Sequence, residues 1–246
     1  MKEGRTIQSH EYFMDRCLEL ALKGLGNVAP NPMVGAVIVH EGEVIGEGYY
    51  QKYGMPHAEA IAVNAVKDKS LLKKSILYVN LEPCSHMGKT PPCTDLIMKM
   101  KIPHVVIGTA DPNVLVAGNG IDILRKNNIK VETGVLKERC TELNRRFFTF
   151  HLKKRPYIIL KWAQSKDGFI DLKRKPDEPI GVHWISHPLS RSLVHKWRSE
   201  EQGIMVGTNT VLIDNPRLNV RNWEGKNPVR IILDRRLRIS EESCIY

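Results

Sequence analysis

The sequence predicts two α/β domains in tandem, the first a three-layer sandwich with helices on both faces of its sheet. Short apolar runs alternate with amphipathic stretches from residue 9 to about 150, and strand–helix alternation builds sheets covered by helices. The segment Lys153-Lys154-Arg155-Pro156 is polar and closes on proline, as linkers do. A second alternation begins at Tyr157, and 246 residues suit one large or two modest domains. The expected domains are therefore 1–152 and 153–246, and the second is expected to be incomplete, because its sheet is not finished by Tyr246.

Each element has its own signal. Ser9 can cap a helix running to about Leu25, with Phe13, Cys17 and Leu20 at helical spacing. Val34 to Val39 and Val44 to Tyr50 flank Glu41-Gly42-Glu43 and read as a hairpin. A helix is predicted from His57 to Val66, a buried strand from Ile76 to Leu81 and a helix from Thr94 to Met100. Val105 to Gly108 and Lys130 to Gly134 read as strands, Ile121 to Lys126 as a helix, and Leu136 to Phe150 as one longer helix. In the second half, Tyr157 to Ala163, Ile204 to Gly207 and Val229 to Asp234 read as strands, with a helix over Pro188 to Arg198.

Composition narrows the class. Apolar residues make up 42% and charged residues 26%, as in globular proteins. No apolar stretch approaches the roughly 20 residues of a membrane span, and the N-terminus lacks an apolar signal core. Five cysteines, an odd number, argue against a disulfide framework. A cytoplasmic protein with reduced thiols is expected, with no membrane partner; a homo-oligomer is also expected. The net charge of +10 is scattered rather than gathered into a tail, so it serves a phosphate ligand as readily as a nucleic acid.

The chemistry concentrates in His57-Ala58-Glu59, Pro83-Cys84 and Cys93. Zinc favours thiolate and imidazole in a tetrahedral shell, and three protein ligands with one open position is its catalytic arrangement. His57, Cys84 and Cys93 can supply those ligands. Glu59, two residues along a helix, is free to handle protons. The pattern H-x-E followed by P-C and a later Cys is the signature of zinc nucleobase deaminases, which implies a cytidine-deaminase-like first domain. Eight residues separate the cysteines here, and they bring His86, Lys89 and Thr90 beside the metal. A cation and hydrogen-bonding groups there suggest a phosphorylated substrate.

Three segments, Pro30-Asn31-Pro32-Met33-Val34-Gly35, His57-Ala58-Glu59 and the whole run Pro83 to Cys93, resemble the bifunctional riboflavin-biosynthesis deaminase/reductase family. Asp111-Pro112-Asn113 falls where that family has the same triplet. The second half agrees through Leu160 to Gly168, Trp184-Ile185-Ser186, Arg198, Val206 to Thr210, Asp214-Asn215-Pro216 and Arg221. The resemblance implies hydrolytic deamination of 2,5-diamino-6-(ribosylamino)-4(3H)-pyrimidinone 5′-phosphate. It also implies NADPH-dependent reduction of the ribosyl group by a dihydrofolate-reductase-like second domain. By resemblance, Asn31, Lys89, Asp111 and Asn113 line the deaminase's substrate site. In the reductase half, Ala163, Trp184, Thr210 and Asp214 would meet NADPH, and Lys161, Arg198, Leu218 and Arg221 the substrate. The chain departs from the family at Tyr50, where a His is usual, and at Val114, where a Pro is usual. The family's reductase half continues for about another hundred residues, comparable to a domain's size. The competing reading is a nucleic-acid deaminase acting on a flipped adenine or cytosine.

Overall fold

The computed structural model of the chain describes residues 9–113, 116–173, 175, 178 and 181–246. Val114 lies outside them. Two compact units emerge, dividing between Tyr157 and Ile158.

In the first unit, Ser9 caps α1 (His10–Leu22): its hydroxyl accepts from the Tyr12 N–H at 3.3 Å. β1 (Gly35–His40) and β2 (Glu43–Tyr49) form the predicted hairpin, turning on Glu41 and Gly42 at φ 48° and 81°. Positive φ at both turn residues matches the twist of the strands. Then follow α2 (Ala58–Ala65), a 3-10 turn (Lys69–Lys74), β3 (Ile76–Leu81), α3 (Cys93–Lys99), β4 (His104–Thr109), α4 (Asn119–Lys126) and β5 (Lys130–Thr133). The sheet order is β2-β1-β3-β4-β5. β1 runs antiparallel to both neighbours, and β3, β4 and β5 are parallel.

Alternation along the strands makes two cores. Ala36, Ile38, Leu77, Val79, Val105 and Ile107 face one way and pack with Ala58, Ala62, Ile97 and Leu124 of α2, α3 and α4. Val37, Val39, Tyr78 and Val106 face the other way, against Phe13, Met14 and Cys17 of α1 and Cys140. Period-two burial on both faces is what a helix-covered sheet requires. The first unit is therefore the three-layer αβα sandwich that the sequence predicts.

Close contact with β2 seats α2. A Cβ on Gly48 would lie 2.4 Å from the Ala58 carbonyl oxygen and 2.5 Å from the Ala62 nitrogen. Only glycine lets the helix come this near, and the helix begins one residue after His57. Gly48→Ala is expected to lower unfolding free energy by about 1–3 kcal/mol through overpacking. Denaturant melts would show this, with zinc content falling alongside.

The predicted helix Leu136–Phe150 is two helices, α5 (Lys137–Leu143) and α6 (Arg145–Lys153), broken at Asn144. The reason is a long-range demand. Buried Asn144 accepts from the Met33 N–H at 2.8 Å and donates to the Met33 carbonyl at 2.9 Å. Asn80 donates to the same carbonyl at 3.1 Å and accepts from the Gly35 N–H at 2.8 Å. Two buried amides thus pin the segment that leads out of Asn31.

In the second unit, α7 (Pro188–Glu200) is followed by β6 (Gly203–Gly207), α8 (Thr208–Asp214) and β7 (Val229–Leu233). β6 and β7 pair in parallel. Val211, Leu218 and Ile245 form a small core with Ile204, Val206 and Ile232 beside it. The predicted strand Tyr157–Ala163 is irregular instead, and Ile158, Ile159 and Leu160 are exposed. An apolar run becomes a strand only where a ladder partner exists, and among the described residues this unit's sheet contains only β6 and β7.

Candidate metal centre and substrate sites

His57 is the N-cap of α2, its backbone extended at φ −70°, ψ 163°, so its side chain projects from the helix start. Cys84 follows the end of β3, and Cys93 opens α3. The chain brings all three together: His57 Nδ1 lies 3.4 Å from the Cys84 sulfur and 3.4 Å from the Cys93 sulfur. The three donor atoms fall within 4.8 Å of one another. Tetrahedral zinc with ordinary bond lengths sets nitrogen and sulfur about 3.5 Å apart. One imidazole and two thiols at this spacing fit the ion, with a fourth position left for water.

The electrostatics prepare the donors. A hydrogen bond from the Cys93 side chain holds the Cys84 thiol well below the ordinary range, and His57 adds to the effect. The Cys93 backbone N–H also donates to the Cys84 sulfur at 3.3 Å. Cys93 is pushed up, chiefly by its bond to Cys84 and then by burial. Glu59 is 3% exposed, and burial, followed by the charge of Cys84, pushes its carboxyl up to about 7. A dication at the donors would draw it down again, favouring the ionised carboxylate.

Asn31, Lys89 and the Asp111–Asn113 turn lie on three different loops. Asn31 donates from Nδ2 to the Tyr50 hydroxyl at 3.0 Å, and the Tyr50 ring meets the His57 ring edge-on at 5.4 Å. The Lys89 ammonium stands 4.1 Å above the Tyr53 ring. Asp111 accepts from the Asn113 N–H at 2.8 Å, and burial raises its carboxyl.

Sequence reasoning passed over Glu82, which here organises that side of the site. Its buried carboxylate accepts from the backbone N–H groups of Asp111 (3.1 Å), Gly118 (3.0 Å), Gly120 (2.9 Å) and Ile121 (3.3 Å). The only local signal was its place between a buried strand and Pro83-Cys84.

Residues 7–109 match the zinc-binding region of cytidine and deoxycytidylate deaminases, and residues 156–245 match the RibD C-terminal domain. The riboflavin biosynthesis protein RibD of Aquifex aeolicus is 46% identical over 92% of this chain, and that of Escherichia coli 37% identical over 94%. Among solved structures, RibD of Acinetobacter baumannii superposes with a TM-score of 0.86 at 37% identity over 95% of the chain. Both halves of the chain, in the same order, are similar to RibD proteins. The Thermotoga maritima member, described as a diaminohydroxyphosphoribosylaminopyrimidine deaminase and 5-amino-6-(5-phosphoribosylamino)uracil reductase, superposes at 0.82 with 48% identity over 92% of the chain. The chain spans 62% and 64% of the Aquifex and Escherichia proteins, and 65% and 63% of the two solved chains.

The RibD C-terminal half of the chain gathers only some of its predicted residues. Arg198 on α7 donates to the Asn219 carbonyl at 3.1 Å, and Arg221 reaches the Asn219 side chain at 3.2 Å. Burial, then the charge of Arg221, lowers Arg198, and its Nε is buried with no hydrogen-bond partner among the described residues. Leu218 is buried in the same stretch, at φ 51°. Thr210 and Asp214 share α8 and are exposed. Lys161 and Ala163 lie on an irregular segment, and Trp184 is exposed beneath the Arg191 guanidinium at 4.3 Å. A polar cleft of about 300 Å³ at the start of α8 is lined by Thr208, Asn209, Asp234, Arg235, Arg236 and Arg238. Among the described residues no helix is long and apolar enough to cross a membrane.

Proposed function

We propose that the first unit catalyses zinc-dependent hydrolytic deamination of 2,5-diamino-6-(ribosylamino)-4(3H)-pyrimidinone 5′-phosphate. The observation that carries this is a buried carboxylate, Glu59, hydrogen-bonded to Cys93, one of three convergent zinc donors. His57, Cys84 and Cys93 would hold the ion. When bound, zinc supplies Lewis acidity that brings the ionisation of water down toward neutral pH.

Glu59 accepts the proton released as water oxygen bonds to the ring carbon bearing the amino group. It delivers that proton to the adjacent ring nitrogen. It then moves the hydroxyl proton to the amino group, the carbon–nitrogen bond breaks, and ammonia leaves as the carbonyl forms. Asn31, Asp111 and Asn113 would orient the pyrimidine, and Lys89 would meet the phosphate. Lys89→Met is expected to raise KM roughly ten- to hundredfold, the loss of one charged hydrogen bond. The kcat should change much less, as steady-state kinetics would show.

The proposal extends to the second unit as part of an NADPH-dependent reductase acting on the deaminated product. Ala163, Trp184, Thr210 and Asp214 would serve the cofactor, and Lys161, Arg198, Leu218 and Arg221 the substrate. The neighbouring guanidiniums of Arg198 and Arg221, with one buried Arg198 nitrogen lacking a hydrogen-bond partner among the described residues, suit an anionic group. A cytoplasmic location belongs to the reading, supported by five free thiols. A homo-oligomer is expected by light scattering.

The test offers the zinc-loaded protein the pyrimidinone phosphate and, separately, an RNA stem-loop. Ammonia from the first supports the proposal, and ammonia from RNA alone overturns it. Metal analysis should find one zinc per chain in the native protein and less than stoichiometric zinc in Cys84→Ala.

A further inference from the structure

Tyr50 follows β2 and is drawn inward by its backbone N–H, which donates to the Val34 carbonyl at 2.8 Å. The side chain is 3% exposed and packs with Ala21, Val28 and Met33. A buried phenol needs partners for its hydroxyl, and this one accepts from Asn31 Nδ2 at 3.0 Å and from the Gly54 N–H at 2.8 Å. Its ring meanwhile braces the His57 ring, 5.4 Å away at an interplanar angle of 81°.

A side-chain amide has a donating end and an accepting end, and its orientation decides which is offered. Holding Nδ2 against Tyr50 turns Oδ1 the other way. The geometry points to Tyr50 as a positioning residue that sets the Asn31 amide, so that Oδ1 is presented as an acceptor to the ligand. The matching group is a donor on a pyrimidine, an exocyclic amino group or ring N–H. Tyr50 would thereby select the base although it stands behind Asn31. The same hydroxyl pins the Tyr53-Gly54 turn, over which the Lys89 ammonium sits. One buried group thus ties the base-reading side of the site to its cationic side. The identity of the ligand rests on the deaminase reading, whereas the tether of Asn31 does not.

The test uses Tyr50→Phe, which keeps the ring and removes only the hydroxyl, in the zinc-loaded chain. Asn31 side-chain amide signals, followed by NMR without ligand, should be protected from solvent exchange in the native protein and lose protection in the variant. Binding of the deaminated pyrimidine phosphate, measured by calorimetry, should weaken about tenfold in Tyr50→Phe, the scale of one hydrogen bond. Combining Tyr50→Phe with Asn31→Ala should be no weaker than Asn31→Ala alone, because residues that act through one another are not additive. Unchanged Asn31 signals, or fully additive losses, would overturn the inference. If the native protein ignores the pyrimidine phosphate while Tyr50→Phe still frees the amide, the tether stands and the deaminase reading falls.

Discussion

Glu59→Gln is expected to retain one zinc per chain and to lower deamination by at least about 10²–10⁴-fold, the contribution of a positioned general acid–base. The amide has nearly the volume of the carboxyl, so the packing around α2 is kept. None of the three donors is touched, since His57, Cys84 and Cys93 converge without it. What disappears is the capacity to take a proton from water and give it to the ring. The loss should fall on kcat, because the proposed work of Glu59 is proton transfer in the chemical steps. Metal analysis beside single-turnover ammonia release separates the cases. Full zinc with unchanged turnover would remove Glu59 from the chemistry.

Glu82→Ala is expected to lower unfolding free energy by about 4 kcal/mol, large for a single substitution. Four backbone N–H groups converge on this carboxylate. Each buried donor left without an acceptor costs about 1–3 kcal/mol, offset where water enters. The damage should spread locally, since the same bonds hold the peptide of Asp111 and the start of α4 on the end of β3. A urea melt measures the stability change. A rise in KM in the surviving folded fraction would mark the loosening of the Asp111–Asn113 loop.

The residues that make the centre were legible because each sits in a short local pattern: His57 and Glu59 two apart at a helix start, Cys84 and Cys93 at strand–helix junctions. The sandwich was legible for the same reason, since β3 and its neighbours carry their period in their own sequence. What escaped was governed by distant partners. Nothing near Asn144 interrupts the apolar spacing of Leu136 to Phe150; the break exists because its amide serves Met33, 111 residues away. Tyr157 to Ala163 has the composition of a strand, yet a strand is defined by a neighbour that the local sequence cannot announce. Tyr50 was read only as a departure and Glu82 was passed over, because their work lies in hydrogen bonds to residues distant in sequence.

The alternation of β3 has a consequence for how such a chain can vary. Leu77 and Val79 belong to the layer of α2 and α3, while Tyr78 belongs to that of α1, and Asn80 reaches back to Met33 and Gly35. Deleting one residue from this strand would invert every side chain, driving an amide into oil and leaving the Met33 clamp half empty at one stroke. Tolerance for length must therefore reside in the exposed span between the two cysteines, where insertions can alter what is bound without disturbing what binds the metal.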